Sequence, residues 1–280
     1  MWDLHTHSHW SDGELSPFEL VQSAIQKGLS GIALTDHDTL SGIEELERAG
    51  KKLDFPVYSG IEISCIQQDG RPLHLLGYEI PADGRQKVEL FCRPIRLARN
   101  QAVLESTRAL QRAGYPVSEE RVQTMAGPNG DLCKQYIMQV LIDAELCTEL
   151  YGTLYKTLFK KQADGTPGIA ALSFLAASPE DAVECIVSAG GKAVLAHPGQ
   201  YDNFSALPRL VDAGLGGIEA FHPKNDVQDT EKCLELAKKY GLFLTGGSDF
   251  HGKYGEGEQL GECGAAYVPF SKDVKKAGEV

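Results

Sequence analysis

Two hydrophobic rhythms alternate along most of the chain. Short apolar runs end in polar residues, and each is followed by a stretch whose apolar residues stand three or four apart. The short runs predict strands at residues 2–7, Gly31–Thr35, Pro56–Ile63, Leu73–Tyr78, Lys192–Ala196, Gly217–Phe221 and Leu242–Thr245, with a last one near Ala265–Pro269. The intervening stretches predict helices. In the first, Ser16-Pro17 reads as an N-cap with proline at the first helical position; Phe18, Val21, Ala24 and Ile25 form the buried stripe, and Gly28 ends it. Others follow from Leu40 to Lys52, from Ser178-Pro179 to Ala189, from Phe204 to Ala213 and from Asp226 to Tyr240. Repeated strand–helix units with apolar strands imply a parallel sheet covered by helices.

The rhythm breaks between residues 96 and 166. Helix formers dominate there, at Leu97–Ala113, Ser118–Met125, Leu132–Leu146 and Glu149–Lys161, punctuated by Gly127-Pro128-Asn129-Gly130. The expected organisation is α/β: a barrel of residues 1–95 and 167–280, with a helical insert domain at 96–166. The insert holds nine of the 27 Lys/Arg and eight of the 39 Asp/Glu, so it is much less acidic than the rest.

Composition narrows the function classes. The net charge of −12 repels a long nucleic acid strand and offers it no basic track. It does not exclude a small anion, because clustered divalent cations can make a pocket positive inside an acidic shell. No apolar run approaches the length of a membrane span. The seven cysteines are scattered, odd in number and without a C-x-x-C pair, which argues for reduced thiols rather than disulfides or a cysteine–zinc site. With the first motif at the very start of the chain, no signal peptide is expected and the protein is expected to be cytoplasmic. No obligate protein partner is evident.

The chemistry lies in the histidines. All eight fall at or just beyond the end of a predicted strand, except His74, which lies within one. In a βα barrel such ends share the face that holds the active site. His5 and His7, two apart on a strand, point the same way. Asp12, Asp36, Asp38, Glu62 and Asp249 stand at the same ends. Several imidazoles and carboxylates at one barrel mouth are what a polynuclear hydrolytic metal site requires.

The motifs Asp3-Leu4-His5-Thr6-His7-Ser8, Ser11-Asp12-Gly13, Thr35-Asp36-His37-Asp38, Gly60-Ile61-Glu62, Leu73-His74-Leu75-Leu76-Gly77-Tyr78, Ala196-His197-Pro198 and Ser248-Asp249-Phe250-His251-Gly252 run through nearly the whole chain in order. Jointly they resemble the PHP (polymerase and histidinol phosphatase) superfamily of metal-dependent phosphoesterases. The resemblance implies a distorted seven-stranded (β/α)7 barrel, the PHP fold, holding two or three divalent metal ions: manganese first, with zinc or iron as alternatives. It implies that His5, His7, Glu62 and Asp249 hold one metal. Glu62 would bridge to a second, completed by His74 and His197. Asp12, His37 and His251 would hold a third. Asp36 and Asp38 are expected to orient His37, and His9 either to sit at the pocket edge or to support a ligand from behind. His222 is left open between contacting phosphate, donating a proton to the leaving group, and a supporting hydrogen bond.

The insert after the fourth strand, with Arg96 and Arg99 at its start, resembles the branch that includes nucleoside 3′,5′-bisphosphate phosphatases and short-RNA 5′ exonucleases. That branch typically carries a Gly-Arg-Pro-His motif whose arginine grips phosphate; here the aligned residues are Cys133-Lys134-Gln135-Tyr136. The phosphate role passes to Lys134, aided by Arg99 and His222, and the lysine keeps the charge but lacks the bidentate fork. The implied function is hydrolysis of a phosphate monoester of a nucleotide, or of a short 5′-phosphorylated oligonucleotide, by a metal-bridging hydroxide, with His222 and Asp249 as catalytic groups. The alternatives are a histidinol-phosphate phosphatase, which the comparatively basic insert disfavours, a non-nucleotide phosphoesterase, an amidohydrolase barrel, whose usual spacing fits poorly, and an accessory metal-binding module.

Overall fold

The computed structural model describes residues 1–266 and 268. Its strands are β1 (Trp2–Asp3), β2 (Gly31–Leu34), β3 (Val57–Ile66), β4 (Pro72–Tyr78), β5 (Lys192–Leu195), β6 (Gly217–Phe221) and β7 (Phe243–Gly246). Its helices are α1 (Pro17–Gln26), α2 (Ile43–Leu53), α3 (Ala82–Arg112), α4 (Glu119–Gln123), α5 (Lys134–Asp143), α6 (Thr153–Phe159), α7 (Pro179–Ser188), α8 (Leu207–Asp212) and α9 (Val227–Tyr240). The strands form one seven-stranded sheet in sequence order. Past β1 and β7 the two edges meet. Leu4 N–H donates to Gly246 O (3.1 Å), Asp249 N–H to His5 O (2.9 Å) and His7 N–H to Phe250 O (2.9 Å), curling the sheet into a barrel. Of the expected last strand, Ala265 pairs antiparallel with Trp2; most of the stretch to Pro269 lies outside the described residues.

The sheet is not wholly parallel, which corrects the expectation from the strand–helix rhythm. β4 runs antiparallel to both β3 and β5. The cause is local. β3 extends to Ile66, and a tight turn follows in which Gln67 N–H donates to Arg71 O and Gly70 adopts φ +85°. A parallel return would need a crossover of a dozen or more residues. Reversal brings the start of β4, and with it His74, to the end of the barrel where the other strands finish.

Reversal also explains α3. The chain leaves β4 at the barrel base, and α3 climbs the outside for 31 residues, about 46 Å at 1.5 Å per residue. Its first half packs Val88, Cys92 and Ile95 into the main core. Its second half contributes Val103 and Leu110 to a separate core with Val122, Tyr136, Ile137, Leu141 and Leu158. Position 96, where the sequence pattern changes, lies inside this uninterrupted helix. α7 then descends to start β5 at the base.

Alternation along the strands divides the barrel's packing. Ile32, Leu34, Leu75 and Leu195 face the surrounding helices, whereas Ala33, Leu76, Tyr78 and Val194 fill the interior with Leu4. The insert sits on the loops at the mouth: Asn129 Nδ2 donates to Trp10 O and Thr39 Oγ1, and a Cβ on Gly127 would lie 1.7 Å from His9 O. Tyr254, from the loop after β7, packs in the insert core. Among the described residues no helix is long and apolar enough to cross a membrane.

Closure of the barrel depends on Gly247, where a Cβ would lie 2.3 Å from both the backbone nitrogen and the Cβ of His5. Gly247→Ala is expected to lower unfolding stability by about 1–3 kcal/mol, as overpacking does, read as an earlier denaturant midpoint. An unchanged midpoint would show that the two edges can part at little cost.

Candidate metal centre

Each candidate ligand is placed by a local feature of the chain. His5 and His7 leave β1 two residues apart with ring centroids 5.3 Å from each other. The following turn is organised by Asp36, which accepts from Ser8 N–H, Ser8 Oγ and Ser11 Oγ at 2.6–2.7 Å and so returns Asp12 to the mouth. Asp38, at φ +56°, accepts from Ser64 N–H and from Arg99. The two aspartates therefore order the loop after His7 and the junction of β3 with α3, rather than holding the His37 ring. His37 instead faces Glu62 (Nδ1 to Oε2, 3.2 Å). His74, on reversed β4, lies opposite Ser64 of β3. His197 follows β5, and Asp249 and His251 follow β7. His197 and Asp249 hold positive φ (+23° and +57°), backbone strain of the kind found at functional sites.

These side chains gather into adjoining clusters. In the first, His5 Nε2 and His7 Nε2 lie 3.1–3.4 Å from Glu62 Oε2 and Asp249 Oδ1. In the second, Glu62 Oε1 faces His74 Nδ1 (2.7 Å) and His197 Nε2 (2.9 Å). In the third, Asp12 faces His251 Nε2 (3.2 Å) and His37 Nε2 (3.9 Å), with His7 beside them. Glu62 thus turns one oxygen to the first cluster and the other to the second.

A metal fits the first cluster on two counts. Its four facing atoms, His5 Nε2, His7 Nε2, Glu62 Oε2 and Asp249 Oδ1, are buried and make no hydrogen bond, so they converge without satisfying one another. Their spacing also suits a tetrahedral ion, whose bonds of roughly 2.0–2.2 Å separate ligand atoms by about 3.3–3.6 Å.

The charges are interlocked. Burial alone would push the Glu62 carboxyl up, but His37, His74 and His5 outweigh it and hold it well below the carboxylate range. Asp249 and Asp12 are also raised by burial and, on balance, driven well below their ordinary values by His5 and His251 and by His251 and His37 respectively. Burial lowers His251, but Asp12 and Asp249 push it up to about 10.

A cavity of about 770 Å³ opens over the clusters, lined by Asp12, Glu62 and Asp249 below and by residues of the insert above. Lys134 lines it at the N-terminus of α5. Its Nζ lies 5.6 Å from the Tyr155 ring centroid, and Lys160 Nζ lies at the same distance. Arg99 also lines the cavity, with one nitrogen given to Asp38 and Ser64 and its guanidinium over the Phe174 ring. His222 is buried at the mouth, its Nδ1 accepting Lys224 N–H (3.0 Å) and its Nε2 facing Asp249 Oδ2 (3.6 Å). His9 stands apart from the clusters, beside Glu45 (3.8 Å). Sequence reasoning missed Lys160, an unremarked lysine late in the insert. It also missed Glu219, which meets His5 and His222; the available signal was a lone carboxylate inside the apolar strand Gly-Ile-Glu-Ala-Phe.

Removing the shared carboxylate tests the arrangement. Glu62→Gln is expected to cost two bound divalent ions, and His37→Ala one at most, by elemental analysis of reconstituted protein. Undiminished metal content in Glu62→Gln would contradict the bridging arrangement.

Comparison with known proteins agrees with this chemistry. The PHP domain model matches residues 3–173. The phosphoribosyl 1,2-cyclic phosphate 1,2-diphosphodiesterase of Eggerthella lenta is 38% identical over 260 residues, covering 92% of this chain and 97% of its own. The 3′,5′-nucleoside bisphosphate phosphatase of Chromobacterium violaceum is 32% identical over 266 residues, covering 92% of this chain and 90% of its own. A crystal structure from Bifidobacterium adolescentis, assigned as a metal-dependent phosphoesterase, superposes with a TM-score of 0.83 at 26% identity, covering 94% of this chain and 91% of its own. With the match spanning more than half the chain, the protein belongs to the PHP domain family and is a metal-dependent phosphoester hydrolase.

Proposed function

We propose that the protein hydrolyses a phosphate ester on a ribose that carries a second phosphate. The observation that carries this reading is the pair Lys134 and Lys160 on the Tyr155 ring, across the same cavity from the histidine–carboxylate clusters. The two relatives named above act, by their names, on a phosphoribosyl cyclic phosphate and on a nucleoside bisphosphate, ribose compounds with more than one phosphate. The insert, residues 96–166, acts in this reading as the specificity cap.

His5, His7, Glu62 and Asp249 would hold one ion, Glu62, His74 and His197 a second, and Asp12, His37 and His251 a third. Their mix of imidazole and carboxylate suits manganese, iron or zinc, and we take manganese first. Bound there, the ions supply Lewis acidity and a water of lowered pKa for attack on phosphorus. The remaining work falls to the chain. The start of α5, its backbone N–H groups reinforced by Lys134, receives the second phosphate, since a helix N-terminus favours an anion. Arg99, tied to Asp38, holds α3 against the mouth and adds positive field. Because Nδ1 of His222 accepts a backbone N–H, a neutral ring carries its proton on Nε2. That proton points to Asp249 Oδ2 (3.6 Å), so His222 orients this carboxylate rather than reaching the substrate; surrendering it would leave an imidazolate, so His222 does not serve as the acid for the leaving group. The seven thiols, all unpaired, suit a reducing compartment such as the cytoplasm.

The test is phosphate release, or ring opening, by manganese-reconstituted protein. The panel is adenosine 3′,5′-bisphosphate, phosphoribosyl 1,2-cyclic phosphate, AMP, histidinol phosphate and a 5′-phosphorylated trinucleotide, with Asp249→Ala as the inactive control. The two-phosphate ribose compounds are expected to lead AMP in kcat/KM. Lys134→Met is expected to reduce that lead roughly 10–100-fold, the worth of about 1.5–3 kcal/mol for a hydrogen bond to a charged group. Histidinol phosphate as the best substrate would overturn the reading. Turnover of the trinucleotide alone would replace it with short-oligonucleotide hydrolysis.

A further inference from the structure

We infer that Glu219 is a positioning residue that locks His5 in its ligand tautomer and anchors the backbone of His197, so that one buried carboxylate sets the geometry of two metal clusters. The inference rests on the reading that these clusters hold metal ions. Glu219 is fully buried in β6, with Ile218 and Ala220 turned outward into the main core. Its Oε1 and Oε2 lie 3.1 and 3.3 Å from His5 Nδ1, and Oε2 accepts His197 N–H at 2.8 Å. A carboxylate accepts only, so the proton of His5 sits on Nδ1 and the lone pair on Nε2. Nε2 is the atom that faces Glu62 and Asp249 in the first cluster. A ligand histidine whose second nitrogen donates to a carboxylate is held in ring orientation and made more basic.

The second contact addresses a different cost. His197 holds φ +23°, and its N–H is buried with no strand partner of its own. Without Glu219 that donor would be unpaired as well as strained. The His5 and His197 rings stack 5.6 Å apart at 19°, with Glu62 before both and Glu219 behind. The third cluster, Asp12, His37 and His251, has no contact of this kind with Glu219 among the described residues.

Glu219→Gln separates these roles. The amide oxygen can still accept His197 N–H, but the amide NH2 then faces His5 Nδ1 and favours the tautomer protonated on Nε2. Manganese titration of chelator-stripped protein by calorimetry, with elemental analysis, is expected to show one site weakened about 10–100-fold, while another keeps its affinity. Cobalt-substituted protein should show a matching change in its visible spectrum. Wild-type stoichiometry and affinities in Glu219→Gln would overturn the inference. A variant that fails to fold leaves a measurement on wild type: nitrogen-15 spectra of histidine-labelled, zinc-loaded protein should show a His5 ring with Nδ1 protonated and Nε2 metal-bound. A His5 protonated on Nε2 would overturn the inference. Wild-type protein that binds no divalent ion would remove the metal reading itself, and this inference with it.

Discussion

The direction of β4 governs the rest of the structure. A turn of a few residues after Ile66 leaves no room for a crossover, so the strand must run back against β3. That reversal delivers His74 to the mouth beside Glu62. It also leaves the chain at the barrel base, from which α3 must climb the full height to return. The climb carries α3 past the rim, and its upper half becomes the foundation of the insert. A barrel of uniform strand–helix units would have placed neither His74 at the ligand cluster nor a roof over it.

The mouth itself is a concentration of buried charge. Seven imidazoles and four carboxylates meet there, and burial by itself disfavours the ionised form of the carboxylates. The attraction between imidazoles and carboxylates is what keeps Glu62, Asp12 and Asp249 ionised. Several atoms nonetheless end without hydrogen-bond partners, and two of the candidate ligands, His197 and Asp249, sit on strained backbone. An arrangement of this kind is costly in isolation, and divalent ions bound there would offset the cost by engaging the unpaired atoms.

Above the mouth, cations replace histidines. Lys134 and Lys160 share one tyrosine ring, and Arg99 lies over Phe174. Two of the aromatic rings that line this cavity therefore carry positive charge. Cations thus gather above the mouth and histidines and carboxylates within it, while the chain as a whole keeps a net charge of −12.

By itself the sequence determined where the histidines and carboxylates stand along the chain. Strand alternation and helix periodicity are local properties, so His5, His7, His197 and Asp249 could be set at strand ends, and the helical character of the insert could be read, from spacing alone; Glu62, expected at a strand end, lies midway along β3. Local spacing did not show which strands run together, because a hairpin and a crossover can follow the same apolar run. It also missed the first half of α3, although Val88, Phe91, Cys92 and Ile95 stand at helical spacing there; Pro94, within the helix, interrupts the signal. Only the tertiary structure decided the partners of Asp36, Asp38, Arg99 and Glu219. Glu219 and His5 are 214 residues apart and meet because the barrel closes. Contacts made by closure depend on the relative placement of whole strands, a quantity that no window of sequence contains.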